Sequence, residues 1–112
     1  MNKAAESRYL AAITVAETLV QCRRNIRDLT PRMLETQMFS ISNETYGGHP
    51  DEITRFVGCI MIRTINVLTL VPSKDLENEP LREGLILACA ATILEAAACH
   101  KLSLRTFAEE PR

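Results

Sequence analysis

The chain has 112 residues, 46% hydrophobic and 24% charged, with a formal net charge of −1. That length and balance exclude intrinsic disorder, fit one folded domain over residues 1–112, and leave no global positive field to draw the protein onto nucleic acid or anionic membrane. Aromatic residues make up only 4% and Trp is absent, so the core must be built from Leu, Ile, Val, Met and Ala, a composition that suits packed helices.

Three further classes are set aside on local pattern. The start, from Met1 to Glu6, lacks the apolar run of a signal peptide, so a cytoplasmic location is the expectation. The most apolar stretch, residues 85–99, is interrupted by Glu95 and falls short of the ~20 residues a bilayer demands. No membrane association is expected. Cys22, Cys59, Cys89 and Cys99 all lie within apolar stretches and form no CxxC pair. They read as buried thiols that behave as small hydrophobes, with no metal site or cofactor.

Prolines and glycines divide the chain into four segments. The first covers residues 2–29. Ala12, Val15, Leu19, Cys22, Ile26 and Leu29 recur at spacings of three and four, the period of a helix face that meets another helix. Leu10, Ile13, Ala16 and Val20 widen the stripe. Arg23, Arg24 and Arg27 gather near its C-terminal end, where the helix dipole favours cations.

The second segment opens at Thr30-Pro31, an N-cap followed by proline in the first helical position. Leu34, Met38 and Ile41 share a face. Gly47 and Gly48 predict an end near Glu44.

The third opens at Pro50-Asp51-Glu52, with two carboxylates placed to complement a helix N-terminus. Ile53, Val57, Ile60, Thr64, Val67 and Val71 form the next stripe. Residues 60–71 are rich in β-branched side chains and resemble a strand locally. The unbroken helical period back to Ile53 decides for helix.

The fourth follows the polar stretch after Pro72-Ser73. Asn78 is the candidate cap, and a helix is expected to about Leu104. Leu81, Leu85, Ala88, Thr92, Glu95 and Cys99 mark one face, while Leu87, Ala90, Ala91, Leu94 and Ala98 cover much of the rest. A helix apolar nearly all round is expected to sit centrally. Residues 107–112 are expected to fray.

Four helices with short connections predict an all-α, compact antiparallel four-helix bundle. Segments three and four hold more apolar side chains than one buried face accommodates. A symmetric homodimer would bury the surplus.

Four groups of residues carry whatever chemistry the chain has. Arg23, Arg24, Arg27 and Arg32 flank the first helix junction and can grip a carboxylate or phosphate. No aromatics interleave with them, which argues against single-strand binding. Tyr46 and His49 stand in the glycine-containing loop over residues 43–52, and a histidine there can exchange protons near neutral pH. Glu95, Cys99 and His100 form a third group, in which Glu95 is expected to pair with Arg63 or with a neighbouring chain. Asp75, Glu77, Glu79 and Glu83 form the fourth, an acidic stretch that would start the last helix or meet the arginines of a second subunit.

No dense polar centre emerges, so an enzyme is the less favoured reading. The leading expectation is a small protein-binding or regulatory protein, for instance an inhibitor of a host or bacterial macromolecular target. Its candidate binding residues are Arg23, Arg24, Arg27, Arg32, Tyr46 and His49. A nucleic-acid-binding dimer that uses the Arg23–Arg32 patch comes second. A small enzyme with a pocket between helices, relying on Glu95, His49 and His100, comes third.

Overall fold

Side-chain caps set the helix starts, those at Thr30 and Asn78 as the sequence foresaw and those at Asn2 and His49 in addition. In a computed structural model that describes residues 2–105, helix α1 spans Lys3–Asn25 and begins where the Asn2 side chain accepts the Ala5 N–H at 2.7 Å. Helix α2 spans Pro31–Thr45, with the Thr30 hydroxyl oxygen accepting the Met33 N–H at 3.2 Å. Helix α3 begins at Pro50, and helix α4 covers Glu79–Cys99 under an Asn78 cap that accepts the Leu81 N–H at 3.0 Å. Each cap satisfies an N–H that the first helical turn leaves without a partner. A short 3₁₀ turn, Ser73–Glu77, fills the connection before α4. The structure is mostly helical, with four helices among the described residues. Its radius of gyration, 13.9 Å, is near the ~13 Å of a compact chain of this length.

Helix α3 is not uniform. It runs as α-helix over Pro50–Ile60, widens to a π-helical turn over Met61–Ile65 and closes with one α-turn, Asn66–Leu68. The Asn66 N–H reaches back five residues, to the Met61 carbonyl. The extra residue rotates everything after it. Ile53, Val57, Ile60 and Thr64 are buried as the stripe requires. From the last residue of the π turn onward the buried positions are Ile65 and Leu68. Val67, expected inside, is 57% exposed. The helix that β-branching had placed in doubt is present, but its inner face shifts by one residue.

Two more faces depart from the expected stripes. On α1 the buried set is Ala12, Val15, Ala16, Leu19, Val20 and Arg23, while Cys22 is half-buried and Ile26 is exposed. The helix stops at Asn25 and Leu29 is buried separately, from the connecting turn. On α4 the buried residues are Cys89, Ala90, Ile93, Ala96 and Ala97. Leu81, Ala88, Glu95 and Cys99, all on the face expected inside, are exposed. The helix is therefore not enclosed by the others: one side packs, chiefly against α1, and the other faces outward. With apolar residues on every side, periodicity alone does not select which face is buried. The cysteine expectation is corrected too. Cys89 is buried, Cys22 and Cys59 are half-buried, Cys99 is exposed, and all four are free thiols.

The last helix also ends earlier than the apolar run suggests. Lys101 adopts the left-handed conformation, with φ 57°. Its N–H bonds the Ala98 carbonyl and the Leu102 N–H bonds the Ala97 carbonyl, at 3.1 and 2.9 Å. This closes α4 in a Schellman turn and reverses the chain. Two short strands follow from the reversal. β1, Tyr46–Gly47, pairs antiparallel with β2, Ser103–Leu104, Tyr46 opposite Leu104 and Gly47 opposite Ser103. Arg105 completes the junction by donating to the Asn43 carbonyl at 2.8 Å and the Tyr46 carbonyl at 3.2 Å.

A single cluster of buried side chains joins all of these elements, with Phe56, Leu19, Leu34, Met38, Ile60, Ile65 and Ile93 fully enclosed. Among the described residues no helix is long and apolar enough to cross a membrane. The fraying expected for residues 107–112 lies outside the described residues.

Candidate interaction surface

The four candidate arginines are put to different uses. Arg23 is only 7% exposed. Its Nε donates to the Val71 carbonyl at 2.8 Å, and its Nη1 donates to the Ile26 and Arg27 carbonyls at 3.0 and 3.1 Å. It ties the end of α1 to the end of the α3 segment and fills the space that an apolar residue would otherwise occupy. Arg24 grips Glu77 with two parallel hydrogen bonds, Nε to Oε1 at 3.0 Å and Nη2 to Oε2 at 2.9 Å. That contact holds the Glu77 carboxyl below the usual carboxylate range and raises the guanidinium still further. The acidic stretch thus meets an arginine of its own chain. Arg27 and Arg32 are exposed.

The loop residues also separate. Tyr46 is 2% exposed and packs edge-on against Phe56, with ring centroids 5.5 Å apart. Burial pushes its phenol up to about 12, and the hydroxyl has no hydrogen-bond partner. His49 is exposed and caps α3, its Nδ1 accepting the Asp51 N–H at 3.1 Å.

The third group also resolves into separate pairs. Glu95 meets Arg63 at 3.2 Å, the pairing anticipated from the sequence, but both side chains are at the surface. His100 is half-buried with its Nδ1 3.1 Å from Glu52 Oε2. This contact lowers the Glu52 carboxyl below its ordinary value, with a further contribution from Arg55. Cys99 points to solvent. Among the described residues no group of His, Cys, Asp and Glu is arranged to hold a metal ion.

The surface that sequence reasoning did not resolve is apolar. Ile62 is 75% exposed, Leu70 81% and Leu87 52%, along with Val67 and Leu81. Between the end of α3 and α4 lies a shallow groove of about 120 Å³, with Arg63 and Val67 on one wall and Leu85, Ala88 and Thr92 on the other. Scattered exposed leucines are ordinary, but an exposed valine, Val67, in the wall of an apolar groove resembles part of an interface. The sequence held a partial signal, the surplus of apolar residues in segments three and four. It did not hold the π turn that carries Val67 outward.

A second concavity lies at the opposite end of α1. Ala5 and Arg8 of α1, Leu94, Ala97 and Ala98 of α4, and Tyr46, Leu102 and Leu104 of the strand pair enclose about 270 Å³.

Compared with known proteins, the chain matches no family, no curated protein and no solved structure.

Proposed function

We propose that this protein works by protein–protein contact through the apolar face formed by the end of α3 and the outer side of α4. The observation that carries this reading is the exposure of Ile62, Val67 and Leu70 at the end of the α3 segment and of Leu87 on α4, with Val67 lining the Arg63–Thr92 groove. Covering these side chains removes apolar surface from water at roughly 25 cal/mol per Å². The Arg63–Glu95 pair beside them supplies a polar rim of both signs, which suits an isologous contact between two copies of one chain. The reading takes the four helices as an antiparallel bundle. Two such bundles pair across this face in the cytoplasm, and a regulatory target can compete for the same surface.

Nucleic acid is the weaker partner. Arg23 is committed to backbone carbonyls and Arg24 to Glu77. That leaves Arg27 and Arg32 facing outward from the patch of four. An enzyme is weaker still, because Glu95, His49 and His100 are each engaged in a separate local contact.

The test is sedimentation of the wild-type chain and a Val67→Glu/Leu87→Glu variant at micromolar concentration. A nuclease-treated pull-down of both from lysate accompanies it. Both positions are more than half exposed, so the variant keeps its helical circular dichroism. The expected result is a wild-type dimer, a monomeric variant, and loss of protein partners from the variant. A monomeric wild type whose partners are all retained by the variant overturns the assignment.

A further inference from the structure

The cavity between the start of α1, the end of α4 and the strand pair lies apart from the proposed interaction face, and its chemistry is different. Its walls are aliphatic except for Arg8 and Tyr46. Arg8 is exposed and makes no ion pair or hydrogen bond among the described residues. A second, more open groove shares Arg8, Leu102 and Leu104 and adds Ala4 and Ser103. Arg8 thus stands where an apolar recess meets the surface. Among the described residues no carboxylate lines either space. Tyr46 adds a second feature. It stands in the cavity wall, is almost wholly buried, and its hydroxyl has no hydrogen-bond partner among the described residues. A buried phenol in that state is uncommon in a folded protein.

We propose that this cavity binds a single-chain amphiphile with an anionic head, a medium-chain carboxylate. The carboxylate pairs with Arg8 at the mouth and the hydrocarbon chain lies against Leu94, Ala98 and Leu104. Charge selects the head group: a cationic head would meet Arg8 with repulsion. Volume selects the chain. At about 270 Å³ the recess is slightly smaller than most small-molecule sites, which run from roughly 300 to 1,000 Å³. A medium chain fits and a long acyl chain would protrude. The arrangement is the usual one for such sites, an apolar lining with a few polar groups that fix orientation.

The experiment is calorimetric titration of the full chain with decanoate below its micelle concentration. Octanoate and decylammonium serve as controls. Decanoate is expected to bind at one site per chain. Octanoate should bind about fifteenfold more weakly, two methylenes at ~0.8 kcal/mol each. Decylammonium should bind at least about fivefold more weakly than decanoate. Arg8→Glu should weaken decanoate at least about fivefold. Ala98→Trp, which places a bulky side chain at an exposed position of the rim, should abolish binding while the circular dichroism and thermal midpoint stay as in the wild type. Failure of decanoate to bind the wild type overturns the proposal. So does binding of decanoate to a folded Ala98→Trp or Arg8→Glu chain with wild-type affinity, or binding of decylammonium as tightly as decanoate.

Discussion

Replacing Arg23 by alanine should cost this protein a large part of its stability. In the structure Arg23 donates hydrogen bonds to three carbonyls, of Val71, Ile26 and Arg27, from a position that is 7% exposed. Ile26 and Arg27 are exposed residues, so water can take over their carbonyls when the guanidinium is gone. Val71 is half-buried and packs against the core. Its carbonyl loses a charge-assisted bond, worth ~1.5–3 kcal/mol. The loss of packing around the aliphatic stem adds roughly 1 kcal/mol. The expected total is about 2.5–4 kcal/mol, a large share of the ~5–15 kcal/mol available to a small domain. Arg23→Lys keeps the charge but not the fork that reaches carbonyls on two segments, and should lose about half as much. Arg27→Ala, at an exposed site, should stay within ~0.5 kcal/mol. The assay is equilibrium urea unfolding followed by circular dichroism, with the slope of the transition compared across variants. A loss below ~1 kcal/mol in Arg23→Ala would show that these bonds exchange freely with water and refute the reasoning. The result also governs how nucleic-acid binding should be tested: a variant that includes Arg23 measures unfolding, whereas Arg27 and Arg32 together test the surface.

Two further outcomes follow from the electrostatics. The Glu52 carboxyl is held below its ordinary value of 4.5 by the His100 contact and then by Arg55. The stability it contributes is therefore complete above the unfolded value and is lost as pH falls through the lower folded one. Glu52→Gln should lower the thermal midpoint at neutral pH and flatten its decline on the acid side; an unchanged acid limb would remove His100 as a partner. The four thiols should react with iodoacetamide in order of exposure, Cys99 first and Cys89 last. Cys89 is buried, with its thiol pushed up to about 11, and burial also raises Cys22. Peptide mapping after timed labelling reads this order, and early modification of Cys89 would contradict its placement in the core.

The local elements were legible from the chain itself. Thr30-Pro31, Pro50 and Asn78 mark helix starts because cap chemistry depends only on residues within one turn. The helical period and the helix type of the β-branched third segment were recoverable in the same way, whereas the choice of Arg63 over a neighbouring chain as the partner of Glu95, 32 residues away, came from the fold. Three things were decided only when the helices packed. The π turn at Met61–Ile65 moved the inner face of α3 by one residue and sent Val67 outward, a shift invisible to a pattern that assumes constant pitch. The buried face of α4 was settled by its packing against α1, because a helix apolar on every side offers no contrast from which to choose. Arg23, read as a surface charge beside Arg24 and Arg27, was drawn inside because Val71, distant in sequence, presents a carbonyl that only folding brings within 2.8 Å. The sequence by itself determined where helices begin, their approximate lengths and their apolar surplus, since these depend on near neighbours along the chain. Which residues face the core, the cavity or the solvent depends on long-range contacts, and only the tertiary structure decided that.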